Sequence, residues 1–451
     1  MKNKKNYLAL FLVVLFSIFI FTACSKNTKT ENVNATEGQE VGEASAISTE
    51  ELKQNIGKED WVVVDTRIND AFNGWQLDGV KRGGHIKGAT DFAAAWLKVS
   101  DPDKEEKLEK ILSDKGIIAE KNIVLYDANG NDAKELADYL ASKGYKNLYA
   151  YNVKEWASDD NLPMESYPNY SMLVPATWIN DLIKSNNNGL PYKVFEVSWG
   201  EVSEEYNKGH IPSAVHINTD EVEEGPIWNR KSADQLEQFA LNNGITTDTT
   251  TVLYGSDTMA ASRVAVILKY MGVKDVRILN GGYSAWVNAG YNVETTVNKK
   301  TPVDAFGTTV PANPNYIVDL PTAKEILADK EKSILVDIRS WDEYIGKTSG
   351  YDYITGKGRP SGSKWGHDIM DYKNIDTTMR NADEIIDMWK EWNITTDQRL
   401  SFFCGTGWRA AEVLLYADVM GLQNISLYDG GWNEWSSDAQ NPIETGEPNN
   451  K

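Results

Sequence analysis

Ser401-Phe402-Phe403-Cys404-Gly405-Thr406-Gly407-Trp408-Arg409-Ala410-Ala411-Glu412 is an apolar run that delivers a lone cysteine to a glycine-containing loop and passes at once into an Ala/Glu/Leu-rich segment. The run reads as a buried strand and the segment from Ala410 as a helix. Backbone N–H groups of a short loop and of a helix N-terminus, with a guanidinium at Arg409, favour the thiolate form of a sulfur placed among them. An isolated cysteine is more often a small, inert core residue. Two glycines and an arginine within five residues of a strand end are poor core material and good anion-cradle material, so Cys404 reads as reactive.

The start of the chain sets the compartment. Lys2, Lys4 and Lys5 precede an apolar segment from Tyr7 to Phe21 that ends in Phe21-Thr22-Ala23-Cys24-Ser25. A charged n-region, an h-region and a small-residue cleavage site make residues 1–23 a signal peptide. Cys24 directly after the small pair resembles the lipobox of bacterial lipoproteins, with Phe21 where Leu is usual; an uncleaved signal anchor is the alternative, although the segment is short for a spanning helix. Both place the protein at the cell membrane on its extracytoplasmic face. With Cys24 acylated, Cys404 is the one remaining thiol, and an exported chain with a single unpaired cysteine has kept a reactive group where oxidants are common. Loss of three lysines and no acids with residues 1–23 takes the net charge from −20 to −23, which argues against nucleic acid or an anionic lipid surface as partner.

Residues 24–45 are rich in Asn, Thr, Glu, Gly and Ser without apolar periodicity and read as a disordered tether. Three copies of one unit follow, at 46–165, 170–298 and 316–447. Each has an early strand (Trp61–Asp65, Val194–Ser198, Ile334–Asp337), a Gly-rich turn (Gly84-His85-Ile86, Gly209-His210-Ile211-Pro212, Gly358-Arg359-Pro360) and a later strand reaching Asp127, Gly255 or Cys404. The spacings agree: Gly116 to Asp127, Gly244 to Gly255 and Asn393 to Cys404 are 11 residues each, and the closing tryptophans Trp156, Trp286 and Trp435 lie 29, 31 and 31 residues further on. Short β-branched runs alternate with amphipathic patterns such as Ala133–Lys143, Ala260–Met271 and Ala410–Met420, which predicts an α/β fold of parallel sheets flanked by helices. Ligands bind beyond the carboxyl ends of the strands of such sheets, where the Cys404 loop sits. The Pro-containing stretch Thr301–Pro314 is expected to lie across a domain surface.

These marks, namely the Asp-x-Arg strand end, the Gly-His-Ile-Pro turn, the Cys-x-x-Gly-x-Arg loop and the closing Asp-Gly-Gly-x-x-x-Trp, resemble the rhodanese homology domain, present three times. Units two and three together resemble the two-domain sulfurtransferases, in which an inactive domain precedes an active one. Asp127 and Gly255 stand at the cysteine position of the first two units, and the second carries Ser198 where the others have Arg67 and Arg339, so the third unit alone is equipped for chemistry.

The resemblance implies a thiosulfate sulfurtransferase. Cys404 would take the sulfane sulfur of a small anionic donor as a persulfide and pass it to cyanide or a thiol by ping-pong chemistry. Gly405, Thr406, Gly407 and Trp408 would surround the anionic sulfur, and Arg409 would balance the donor's charge. The resemblance places Arg339 and Arg359 near the pocket mouth, with surface ion pairing as likely a role, and Asp337 is expected to brace the loop. Trp408 and Trp432 are candidate pocket walls, with simple packing as the alternative. The same fold hosts phosphatases with arginine six residues after the cysteine; Arg409 is five after Cys404, a cradle that suits sulfur better than phosphate. Two alternatives stay open: a 3-mercaptopyruvate sulfurtransferase, which Cys-Gly-Thr-Gly resembles but Trp408-Arg409 and Glu343 depart from, and a non-enzymatic surface binding module or persulfide carrier. No metal site and no organic cofactor is implied, since the histidines form no ligand cluster.

Overall fold

The β-branched runs become the strands of three parallel five-stranded sheets. The computed structural model describes residues 44–448; the leader, Cys24 and most of the tether lie outside them. In the first domain the sheet order is Ser45–Ala46, Leu148–Asn152, Asn122–Asp127, Trp61–Asp65, Thr90–Asp91. The third domain repeats it as Ile317–Val318, Ile425–Tyr428, Arg399–Phe403, Ser333–Asp337, Lys364–Trp365, and the second does so with Leu173–Val174, Val276–Leu279, Thr250–Tyr254, Tyr192–Ser198, Val215–Asn218. Numbered along the chain within each domain, every sheet runs 1-5-4-2-3. Strand four is central and buried after its first residue in all three domains, as the uninterrupted apolar runs of a sheet covered on both faces require. Ser45, assigned to the tether by composition, already pairs with Tyr149. Backbone pairing at a sheet edge needs no apolar side chain, so composition carried no sign of it.

The closing tryptophans serve one purpose three times. Trp156, Trp286 and Trp435 are buried, and their indole N–H groups donate to the carbonyls of Pro163, Asn292 and Pro442 at 3.0, 3.0 and 3.1 Å. A buried indole of this size stabilises through its apolar area only when its N–H is also satisfied.

The helices after strand four are Asn131–Ser142, Thr258–Met271 and Trp408–Val419. The first is amphipathic, as its sequence indicates. The other two are buried on nearly every side because they pack against each other, and Val264, Ile267 and Met271 belong to one apolar cluster with Leu414, Leu415 and Val419. A helix that is apolar all round belongs in a core. Domains two and three therefore share a core, while the first has clusters of its own around Leu125 and Trp156. The Thr301–Pro314 stretch runs over the second domain, held by Val303 N–H to Leu241 O and Thr247 N–H to Phe306 O, both at 2.9 Å, with Phe306 buried. Among the described residues no helix is long and apolar enough to cross a membrane.

Candidate active site

Strand Arg399–Phe403 ends at Cys404, which is 1% exposed. The carbonyls of Cys404 and Gly405 turn toward the 429–433 segment, where they accept from Trp432 N–H at 2.7 Å and Asn433 N–H at 3.0 Å. Gly431 makes that approach possible, since a Cβ there would stand 2.5 Å from the Cys404 oxygen. With its carbonyls occupied behind, the loop presents N–H groups on the other side. Among the described residues it is Gly407 N–H that reaches Cys404 Sγ, at 3.2 Å. Gly407 has φ +102° and opens helix Trp408–Val419 with no side-chain cap, so the N–H groups of the first turn are left to the loop and its contents.

Arg409 does not stand free. Its Nη1 and Nη2 donate to Glu343 Oε2 and Oε1 at 2.7 and 2.9 Å, and its guanidinium lies 5.5 Å from the centre of the Tyr351 ring. Burial works against ionised Glu343, yet the hydrogen bond and charge of Arg409 hold its carboxyl below the usual value. The expectation that Arg409 balances the donor's charge is thus modified: in this state its charge is already balanced.

Thr406, Trp408 and Arg409 line a cavity of about 470 Å³ with Tyr351 and Tyr353 of the same domain. Burial pushes the Tyr351 phenol up to about 12 against the opposing charge of Arg409, so it keeps its proton at neutral pH. The far wall comes from the second domain: Trp199, Glu223, Trp228, Asp257 and Met259. Trp408 Nε1–H donates to Glu223 Oε1 at 2.7 Å, and the fully buried Arg263 donates to Glu223 Oε2 at 2.9 Å and pairs with Asp429 at 2.8 Å. Domain two thus both walls the pocket and holds the Cys404 loop from behind.

Two expected substrate contacts are corrected. Arg339 is fully buried and donates from Nε to Asp337 Oδ1 at 2.8 Å and from Nη2 to both Asp337 Oδ2 and the Gly358 carbonyl, at 2.5 and 2.8 Å. Arg67 makes the same three bonds to Asp65 and Gly84, at 2.9, 2.6 and 2.8 Å, in a domain with no cysteine. The motif ties strand two to the following turn. Arg359 is buried over the Tyr344 ring at 4.4 Å, with Nη1 on the Gly446 carbonyl at 2.8 Å. Neither lines the cavity. Trp432 is also fully buried, bonded to Gly356 O at 2.9 Å, and packs rather than walls. Gly405 is covered by Tyr351, whose ring would lie 2.4 Å from a Cβ.

The other two loops are closed in different ways. In the first domain the Asp127 carboxylate fills the cradle itself, accepting from Gly130 N–H at 2.6 Å, Ala133 N–H at 3.0 Å and Asn129 N–H at 3.2 Å. In the second, a Cβ at Gly255 would stand 2.5 Å from Val197 O, so no cysteine fits there without movement. Glu343, Tyr351, Tyr353, Glu223, Trp228, Asp257 and Arg263 were not legible as site residues. Glu343 stood out in the sequence as a departure from the 3-mercaptopyruvate pattern and as the end of the Ser340-x-x-Glu343 capping box, and neither signal points to Arg409 as its partner.

The rhodanese-like domain family model matches residues 48–158, 177–289 and 320–438. The chain is 39% identical over 415 residues to thiosulfate sulfurtransferase YnjE of Escherichia coli K12, covering 90% of this chain and 92% of that protein. The solved structure of wild-type EanB is 37% identical with a TM-score of 0.85, covering 91% of this chain and 99% of EanB; another EanB structure carries a cysteine persulfide with ergothioneine. An anaerobic ergothioneine-biosynthesis enzyme from Chlorobium limicola, solved with its natural substrate trimethyl histidine, is 37% identical with a TM-score of 0.84, over 89% of this chain and 99% of that one. Matches of this extent over all three repeats place the chain in the rhodanese family, with three rhodanese-like domains.

Proposed function

We propose that the protein is a sulfurtransferase that takes a sulfane sulfur from thiosulfate onto Cys404 and passes it to an acceptor in the cavity between domains two and three. The observation that carries this reading is the placement of one thiol, with Gly407 N–H on its sulfur, at the end of a central strand beside that cavity. The Cys404 thiolate attacks the outer sulfur of the donor, the donor's S–S bond breaks, and sulfite leaves with the electron pair. An acceptor nucleophile then attacks the terminal sulfur of the persulfide, and the pair returns to Sγ as thiolate. Gly407 N–H stabilises negative charge on sulfur at both stages. The similarity to YnjE supports thiosulfate as donor.

A second reading concerns the acceptor. Trp199, Trp228, Tyr351, Tyr353 and Trp408 give the cavity five aromatic rings, which suits an acceptor such as the trimethyl histidine bound by the Chlorobium enzyme. The side-by-side test loads the protein with thiosulfate or 3-mercaptopyruvate and then adds cyanide or trimethyl histidine. Thiosulfate-dependent product over many turnovers, lost in Cys404→Ser, supports an enzyme; one sulfur per chain and no turnover would make it a carrier. We also propose that Cys24 carries the lipid that holds the protein at the membrane; metabolic labelling with a fatty acid, lost in Cys24→Ala, is the check.

A further inference from the structure

The cavity beside Cys404 has three charged side chains on its wall, and two are neutralised. Arg409 is matched by Glu343 and Glu223 by Arg263. The third, Asp257, makes no ion pair with any described residue. It stands just before helix Thr258–Met271, where its carboxylate accepts Met259 N–H at 2.8 Å as an ordinary N-cap, with Ala260 N–H as a further donor. The nearby Lys373 ammonium is engaged elsewhere, by Glu412 at 2.9 Å and Thr258 Oγ1 at 2.8 Å. Asp257 is exposed to solvent where it lines the cavity, and a cation beside it would favour its ionised form.

Asp257 also sits two residues after Gly255, on the loop that corresponds to the Cys404 loop. The loop that lost its nucleophile thus faces the one that kept it, across a cavity whose remaining walls are mostly aromatic faces. A carboxylate without an ion-pair partner, lining one cavity with five aromatic side chains, is a setting for a cation, held by charge and by the ring quadrupoles together.

We infer that Asp257, contributed by the domain without a nucleophile, is a specificity-determining residue that selects a positively charged sulfur acceptor, ammonium or trimethylammonium, for the Cys404 persulfide. This rests on the reading of Cys404 as the sulfur carrier. The step it governs is balanced without a further reactant: an acceptor thiolate attacks the terminal sulfur, the S–S bond to Cys404 breaks, the pair goes to Sγ, and the acceptor leaves as its own persulfide.

The test loads the full chain with thiosulfate, verifies one added sulfur on Cys404 by mass, and follows single-turnover transfer to three thiols that differ in charge: cysteamine, 2-mercaptoethanol and mercaptoacetate, each corrected for its thiolate fraction. The wild-type protein transfers fastest to cysteamine and slowest to mercaptoacetate. Asp257→Asn, which keeps the helix cap, lowers the cysteamine-to-mercaptoethanol ratio by about fivefold or more, and Asp257→Lys inverts the order. A general loss of structure would move all three rates together and leave the ratio alone. A ratio that stays within about twofold of wild type in both variants overturns the role of Asp257. Failure to load any sulfur on Cys404 would instead sink the carrier reading beneath it, before a thiol is added.

Discussion

Arg409 and Glu343 face each other through two parallel hydrogen bonds, 2.7 and 2.9 Å long, at the edge of the Cys404 loop. This fork fixes the guanidinium in place and cancels its charge. An anionic donor must therefore compete with Glu343 for Arg409. Glu343→Gln keeps a hydrogen-bond acceptor but removes the competing charge, so KM for thiosulfate should fall by about three- to tenfold in steady-state assays. Arg409→Lys loses the fork and should slow persulfide formation by about tenfold or more. An unchanged KM in Glu343→Gln would show that the donor never meets Arg409.

Gly407 adopts a backbone conformation open mainly to glycine, and a Cβ there would stand 3.0 Å from the Arg263 guanidinium. Gly407→Ala strains the loop by about 1–3 kcal/mol while the surrounding sheet and helix remain. Persulfide formation should be lost in a protein whose circular dichroism is unaltered; retention of the wild-type loading rate would mean that the Gly407 N–H is not needed at the sulfur.

The three repeats, the parallel sheets and the place of Cys404 at a strand end were legible because each rests on local pattern: apolar runs, glycine turns and matched spacings. The partners of those residues were not. Arg339 and Arg359 stand in motif positions, and only the matching bonds of Arg67 to Asp65 and Gly84, in a domain with no cysteine, reveal that the Asp-x-Arg unit is a brace. The far wall of the pocket, Glu223, Trp228 and Asp257, is set by how helices Thr258–Met271 and Trp408–Val419 pack, a contact between segments about 150 residues apart that no local periodicity encodes. The all-round burial of those two helices was likewise hidden, since each also contains positions that read as a polar face.

The Asp127 carboxylate in the first domain accepts the N–H groups of Asn129 and Gly130 in the loop and of Ala133 in the first turn of the helix. Asp127→Ala should destabilise that domain by about 2 kcal/mol in urea or thermal unfolding without changing sulfur loading on Cys404. A neutral effect on stability would mean that water satisfies the cradle as well as the carboxylate does.

Asp70 lies where the three domains meet, with Asn280 Nδ2–H donating to it at 3.2 Å. Burial raises its carboxyl from 3.8 to about 7, with Asp376 adding to the shift and Asn280 opposing it. The folded chain therefore holds this proton where the unfolded chain has released it, and the associated stability is full below pH 4 and lost as pH rises through 7. Asp70→Asn cannot ionise, so it should match wild type near pH 4 and exceed it near pH 8 by up to about 4 kcal/mol. Equal stability of the two proteins at both pH values would show that Asp70 is not buried as a neutral acid.

The most direct measurement is the intact mass of the protein after brief incubation with thiosulfate and removal of excess donor. A gain of one sulfur atom, located on the Cys404 peptide, absent in Cys404→Ser and discharged by cyanide as thiocyanate, is the predicted result. An unchanged mass in a protein that still produces thiocyanate from thiosulfate would contradict the account, because sulfur would then be moving by a route that does not pass through Cys404.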